Sequence, residues 1–160
     1  MFGLKQTEVV VPHVRSSLLA GAAGATALTV VHQVARLMTS SAPRMDVIGM
    51  RALRKVHRFF GRESAGTLHI QALAGDLIAN SAYYSLVGAG NRRGIWSRGL
   101  GLGALAGLGA VTLPRRVGLG DPPHGQRRET QFMTVTWYVI GGLVAAAVLD
   151  AGPPESQSST

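Results

Sequence analysis

An aspartate lies in the middle of an apolar stretch, and this combination restricts the folds that the chain can adopt. Residues 68–87, LHIQALAGDLIANSAYYSLV, are long enough to cross a bilayer, since a helix of about 20 residues spans its hydrocarbon core. At about 100° per residue, several polar side chains fall on one narrow face of this helix, with Tyr84 at the edge. They are His69, Asp76, Asn80 and Tyr83. We therefore predict a membrane helix whose polar face is turned toward other protein.

The energetics of insertion support the same prediction. The seven Leu, Ile and Val residues of this stretch contribute roughly −0.3 to −0.6 kcal/mol each, whereas a central aspartate alone costs about 2.5 to 3.5 kcal/mol. The two contributions nearly cancel, and His69 and Asn80 add a further cost. We expect neighbouring helices to hold this segment in the membrane.

The composition and charge of the chain also favour a membrane protein. Of 160 residues, 46% are hydrophobic and 15% charged, and the mean hydropathy of +0.20 is high for a water-soluble domain of this size. The net charge of +8 arises from basic residues between the apolar segments, a pattern that suits lipid headgroups better than nucleic acid. Because cysteine is absent, disulfides, thiolate metal sites and cysteine nucleophiles are excluded.

Three further apolar runs, at residues 17–38, 95–113 and 132–149, have the length of membrane spans, so four spans are predicted. A cleaved signal peptide is the alternative for the first run, because Lys5 and Arg15 precede it, but the run exceeds a typical signal core. Pro114 is expected to end the third span. Residues 1–150 then form one membrane domain, and residues 151–160 are predicted to be a disordered tail.

Glycine recurs along the predicted spans at positions that share a helix face. In water each glycine would weaken a helix by roughly 1 kcal/mol relative to alanine. In lipid the backbone must satisfy its own hydrogen bonds, and a glycine lets a neighbouring helix approach closely. We therefore predict close helix packing, of the glycine-zipper kind, at Gly21, Gly99, Gly103, Gly107, Gly141 and Gly142.

An amphipathic helix is predicted at residues 45–60, between the first two spans. One face is apolar and includes Ile48, Val56 and Phe59, whereas the other face is basic. This pattern is typical of a helix in the membrane interface, and the alternative is a helix packed on protein with a solvated basic face. The predicted membrane-surface basic residues are Arg51, Arg54, Lys55, Arg58 and Arg62.

The distribution of Lys and Arg predicts the orientation of the chain. The first and third connections, counting Arg36, hold seven and four basic residues, whereas the N-terminal segment and the second connection hold two and three. The excess of eleven over five places the first and third connections in the cytoplasm and both termini outside.

Polar groups inside the predicted spans form a candidate site. Counted from the shared connection at about 1.5 Å per residue, His32 and Asp76 lie roughly 9 and 13 Å deep, so we expect them to hydrogen-bond. Such groups commonly only hold helices together, but a carboxylate near a histidine also suits a proton relay or a solute site. The predicted cluster is His32, Arg36, His69, Asp76, Asn80 and Tyr83.

Other chemistries have weaker support. His32 and His69, with Met38 or Met45 nearby, are possible haem ligands but form no pairing motif. Residues 88–94, GAGNRRG, resemble a nucleotide-binding turn, yet that fingerprint needs a preceding strand, here at 83–87, and an acid about 20 residues later. No nucleophile elbow, metalloprotease helix or pair of carboxylates occurs in the sequence. We predict no catalytic residue, no metal and no cofactor.

The layout resembles small bacterial inner-membrane proteins of the YagU-like family. The resemblance rests on the start LLAGAAGATALTVVHQVAR, the polar second span, and the glycine-rich third span followed by LPRRVGLGDPP and a fourth apolar segment. It implies a four-helix protein of the bacterial inner membrane and carries over no catalytic residue.

The sequence as a whole predicts an all-α integral membrane bundle of four transmembrane helices plus one amphipathic interfacial helix. We expect a structural or accessory component of a membrane assembly, with a proton-coupled transporter or channel subunit that uses Asp76 as the alternative. The expected partners are anionic lipid headgroups and a membrane protein or a second copy of the chain.

Overall fold

The computed structural model of the chain is all-helical. It describes residues 7–60 and 68–152, with side chains from residue 14 onward, and no strand occurs within these ranges. The helices are α1 (Thr7–Met38), α2 (Met45–Phe59), α3 (Leu68–Ser85), α4 (Ile95–Arg116) and α5 (Arg128–Ala151). Two 3-10 turns, Leu86–Gly88 and Arg92–Gly94, connect α3 to α4. The all-α class predicted from the sequence is confirmed.

The four long helices lie side by side, with α1 and α5 in the centre. Helix α1 packs between α3 and α5, and α4 packs along the other side of α5, so the outer helices α3 and α4 hardly touch each other. Tyr84 and Leu28 are fully buried where α1, α3 and α5 meet, together with Ala145 and Ala146. The short helix α2 packs against α3.

Glycines lie where the helices approach most closely, because a side chain there would collide with a neighbouring backbone. A Cβ atom on Gly103 of α4 would lie 2.7 Å from the Cα atom of Val139 in α5. A Cβ atom on Gly24 of α1 would lie 2.5 Å from the carbonyl oxygen of Gly141. Similar crowding is found at Gly99 and Gly107 against α5, at Gly142 against α4, at Gly21 against α3 and at Gly141 against Tyr84.

The first and third connections lie at the same end of the bundle, which we call the basic end. The Thr130 hydroxyl at the start of α5 donates to the carbonyl of Ser41, just before α2, at 3.0 Å. At the opposite end, Arg92 donates to the carbonyls of Asp150 and Gly152 at the end of α5. This arrangement brings the two most basic connections of the sequence together.

Two helix ends differ from those expected from the sequence. Helix α1 begins at Thr7 rather than at residue 17. Helix α4 continues through Pro114 to Arg116, because a proline in the last turn costs one hydrogen bond and the Val117 N–H still bonds to the Leu113 carbonyl at 3.0 Å. Residues 83–87 are helical, so the strand that a nucleotide-binding turn would require is not present there.

Two helical segments among the described residues are long and apolar enough to cross a membrane, Val14–Met38 and Arg128–Ala151. Helices α3 and α4 do not meet this criterion, since α3 carries Asp76 among other polar residues and α4 is rich in glycine. This criterion therefore supports two of the four predicted spans. The tail is predicted to be disordered from residue 151. Ala151 instead ends α5, and residues 153–160 lie outside the described residues.

Candidate functional site

A polar cavity lies near the basic end, between α1, α2 and the first half of α3. Its volume is about 40 Å³, which accommodates a few water molecules, since one water requires roughly 10–15 Å³. Helix α1 contributes Thr29, His32, Gln33 and Arg36, the start of α2 contributes Met45, Asp46 and Gly49, and α3 contributes His69, Ala72, Leu73 and Asp76. The cavity thus combines basic and acidic side chains from three helices.

The structure brings four of the six predicted cluster residues to this cavity: His32, Arg36, His69 and Asp76. The other two, Asn80 and Tyr83, line a separate groove. Asn80 remains linked to the cluster because its side chain hydrogen-bonds to the carboxyl group of Asp76, one turn earlier on α3. Tyr83 instead donates its hydroxyl to the carbonyl of Leu102 in α4, at 2.9 Å.

The expected hydrogen bond between His32 and Asp76 is not formed. The His32 ring packs edge-on against Trp137 of α5, with ring centroids 4.9 Å apart, and its Nε2 atom is buried without a protein partner. His32 and Asp76 are at similar predicted depths on α1 and α3, but contact with the aromatic residues of α5 orients the His32 ring. A water in the adjacent cavity would satisfy the Nε2 atom.

Asp46 is the functional-site residue that the sequence argument missed. Its carboxylate accepts hydrogen bonds from Arg44 at 3.1 and 3.2 Å, and it lies 3.6 Å from a guanidinium nitrogen of Arg36. Burial alone would raise the pKa of Asp46, but the hydrogen bond from Arg44 and the charges of Arg36 and Arg44 together lower it below its ordinary value. The sequence does contain a signal for this site. Arg36 lies at the end of α1, and Arg44 and Asp46 follow within ten residues.

Protonation of Asp46 is expected to destabilise the fold. Because the folded-state pKa lies below the ordinary value of 3.8, the contribution of Asp46 is complete above that pH and is lost as the pH falls through the lower, folded-state value. We expect Asp46→Asn to lower the free energy of unfolding by about 1.5 kcal/mol at neutral pH and by much less near pH 2. The measurement is reversible unfolding in detergent across this pH range.

The exposed residue Glu129 provides the control for the pH experiment. Glu129→Gln should change the free energy of unfolding little at either pH, because Glu129 forms no ion pair among the residues with described side chains. A difference between wild type and Asp46→Asn that stayed constant from neutral pH to pH 2 would contradict the assigned ion pairs.

An apolar groove of about 510 Å³ lies between the two outer helices, α3 and α4. Its floor includes Tyr138 of α5, and Ile48 of α2 covers the basic end. The remaining lining residues are Ala79, Asn80 and Tyr83 of α3, Leu105, Ala106, Gly109, Ala110, Leu113 and Pro114 of α4, and Val117 and Leu119 after it. The groove exists because the central helices α1 and α5 hold α3 and α4 apart, so that α3 and α4 have few direct contacts.

The basic face of α2 packs partly on protein. Arg51 donates to the carbonyls of Leu119 and Asp121 at 3.0 and 2.8 Å, and Lys55 donates to the carbonyl of Val117 at 2.7 Å. Arg51 and Lys55 thus direct donors to the carbonyls of the third connection, and a position of this face at the headgroups stays a prediction. Of the other predicted surface residues, Arg54 and Arg58 are exposed, and Arg62 lies outside the described residues.

No protein-family model, curated protein or solved structure matches this chain. The chemistry of the site is therefore inferred from its geometry alone. No group of three or more His, Cys, Asp or Glu residues within the described part of the chain is placed to hold a metal ion. His32 and His69 share a cavity of about 40 Å³, which is too small for a haem. The polar cavity is suited to hold water and to exchange protons with it.

Proposed function

We propose that α1, α3, α4 and α5 all cross a membrane and that α2 lies at its surface. The 18 residues of α3 and 22 residues of α4 give lengths of about 27 and 33 Å, close to the ~30 Å hydrocarbon core. Both helices also expose large apolar side chains, which include Ile70 and Ile78 in α3 and Leu100, Leu105 and Leu108 in α4. The central position of α1 favours a span over a cleaved signal peptide.

We further propose that the basic end of the bundle faces the cytoplasm of a bacterial cell. Eleven of the sixteen basic residues belong to the first and third connections, and the described parts of both connections lie at that end. The positive-inside rule then places the N terminus and the end of α5 outside. The resemblance to the YagU-like family supports the inner membrane as the location.

The proposed function is that of an accessory component, which binds another membrane constituent at its lateral surface. This proposal rests on the difference in volume and lining between the polar cavity and the apolar groove. The polar cavity inside the bundle measures about 40 Å³, whereas the groove between the outer helices measures about 510 Å³ and is largely apolar. Close glycine contacts, such as that of Gly24 with Gly141, leave little room for a solute between the central helices.

A proton relay through the polar cavity is the second candidate function. It is favoured by one observation: the buried Nε2 atom of His32 has no protein partner and borders a cavity that also contains His69 and Asp76. Histidine and carboxyl groups joined by water can pass protons. This candidate requires a continuous aqueous path across the membrane, whereas the accessory function does not.

The substitution Asp76→Asn distinguishes the two candidates. We expect liposomes that contain the wild-type chain to conduct protons no faster than protein-free liposomes, and the variant to behave identically. The measurement is the decay of an imposed pH gradient, followed with an enclosed pH-sensitive dye. Proton flux that is present in the wild type and absent in a folded Asp76→Asn variant would contradict the accessory function and support the relay.

Purification in mild detergent tests whether the chain binds another membrane constituent, as the accessory function requires. We expect the chain to copurify with a defined membrane component. A lone homo-oligomer that conducts protons or a solute would contradict the proposal.

A further inference from the structure

The groove between α3 and α4 has the shape of a ligand site that opens toward the surrounding lipid. Its walls are the two outer helices, and α5 closes its inner side at Tyr138. Small residues of α4, including Ala106 and Gly109, give the groove its depth, and Leu105 and Leu113 flank them. Its volume of about 510 Å³ falls within the ~300–1,000 Å³ typical of small-molecule sites.

The basic end of the groove is closed, which restricts what can occupy it. Helix α2 packs on α3 and is tied to the connection after α4 by hydrogen bonds from Arg51 and Lys55. A partner transmembrane helix is about 10 Å across and must continue to the membrane surface, where α2 would obstruct it. A flexible hydrocarbon chain entering from the side meets no such obstruction.

The closed end of the groove also carries positive charge. Lys55 and Arg116 are exposed beside Val117, a lining residue, and Arg115 is paired with Asp121 at 3.5 Å. The carbonyl of Val117 occupies only one of the three N–H donors of the Lys55 ammonium group. A phosphate at this position would find charged donors at the level of the headgroups.

We propose that the groove binds one acyl chain of an anionic phospholipid, whose phosphate is held at the closed end by Lys55 and Arg116. This inference rests on the proposed membrane crossing of α3 and α4, and it identifies the class of constituent that the lateral surface binds. The apolar lining provides the affinity for the chain, and the basic residues provide the preference for an anionic headgroup.

Lipid binding to the full chain in detergent micelles tests the proposal. We expect phosphatidylglycerol to bind about fivefold more tightly than phosphatidylcholine with the same acyl chains. Lys55→Gln should remove most of this preference, because it weakens binding of the net-anionic lipid more than that of phosphatidylcholine, whose choline charge offsets its phosphate. Arg54→Gln, on an exposed side chain of the same helix, should preserve the preference. Inorganic phosphate alone should not compete, because it lacks the acyl chain.

Filling the groove should weaken binding of either lipid. Gly109→Leu is expected to weaken binding at least about tenfold, since the side chain would occupy the groove. The fold should tolerate this change, because a Cβ atom there meets only the Leu113 side chain, at 3.4 Å. Gly101→Leu is the matched control on the same helix, where a Cβ atom has no neighbour within 4 Å.

Equal lipid binding by Gly109→Leu and Gly101→Leu would overturn the proposal. It would also be overturned if Gly109→Leu retained lipid but lost a copurifying membrane protein, because the occupant would then be a partner helix. The membrane crossing of α3 and α4 is tested separately. If both helices cross and either of these results is obtained, the lipid site is ruled out and the proposed topology stands.

Discussion

Gly103→Leu is expected to lower the free energy of unfolding by about 3 kcal/mol. A Cβ atom at this position would lie 2.7 Å from the Cα atom of Val139 and 2.8 Å from the carbonyl oxygen of Tyr138. Both atoms belong to the backbone of α5, so no side-chain rotation can relieve the collision. Helix α4 would have to move away from α5 along their shared interface, with loss of the dispersion contacts that hold membrane helices together.

Reversible unfolding in mixed micelles with increasing denaturing detergent measures this effect. The matched control is Gly101→Leu, two residues away on the same helix, where the added side chain meets open space. We expect the control to change the free energy of unfolding by no more than about 0.5 kcal/mol. Equal losses in the two variants would contradict the account, because they would show that contact between α4 and α5 does not determine the cost at Gly103.

Tyr84→Ala is expected to lower the free energy of unfolding by about 4 kcal/mol. The Tyr84 side chain is fully buried, and its ring lies against Gly141 and Gly24 of the two central helices. Its hydroxyl donates to the carbonyl of Tyr138 at 2.7 Å. Truncation therefore removes the aromatic ring that joins α3 to α1 and α5 and leaves a cavity that backbone atoms border on two sides.

Two further variants separate the contributions of packing and hydrogen bonding at this position. Tyr84→Phe keeps the ring and removes the hydroxyl, and should cost about 1 kcal/mol. Tyr83→Ala is the neighbouring control, because Tyr83 is only half-buried and lies in the groove. The same unfolding experiment applies, and a loss in Tyr83→Ala as large as that in Tyr84→Ala would contradict the central position assigned to Tyr84.

Features that depend on the order of residues within one helix could be predicted from the sequence. The recurrence of Gly99, Gly103 and Gly107 every fourth residue fixes their common face, and the structure places that face against α5. The polar face of α3 was likewise visible from spacing, and His69 and Asp76 both border the polar cavity. Helical periodicity is sufficient for such inferences, because it does not depend on which helices become neighbours.

Features that depend on which helices become neighbours were not predictable. The order of the helices, with α5 between α1 and α4, creates the groove, and nothing in the periodicity of α3 or α4 indicates that they are kept apart. The ion pair of Arg36 with Asp46 depends on how the chain turns between α1 and α2. The orientation of the His32 ring depends on Trp137, more than one hundred residues away in the sequence.

Cysteine accessibility in intact cells tests the four membrane crossings most directly, because the natural sequence contains no cysteine. Single cysteines at the exposed positions Ser40, Ala89, Gln126 and Ala151 mark the successive ends of the helices. With a membrane-impermeant maleimide added outside, we expect labelling at Ala89→Cys and Ala151→Cys, and at Ser40→Cys and Gln126→Cys only after the membrane is opened. A protease added outside intact cells should remove an N-terminal tag, as expected if the N terminus lies outside. Labelling of Ala89→Cys and Gln126→Cys from the same side would show that α4 does not cross, and would contradict the proposed topology.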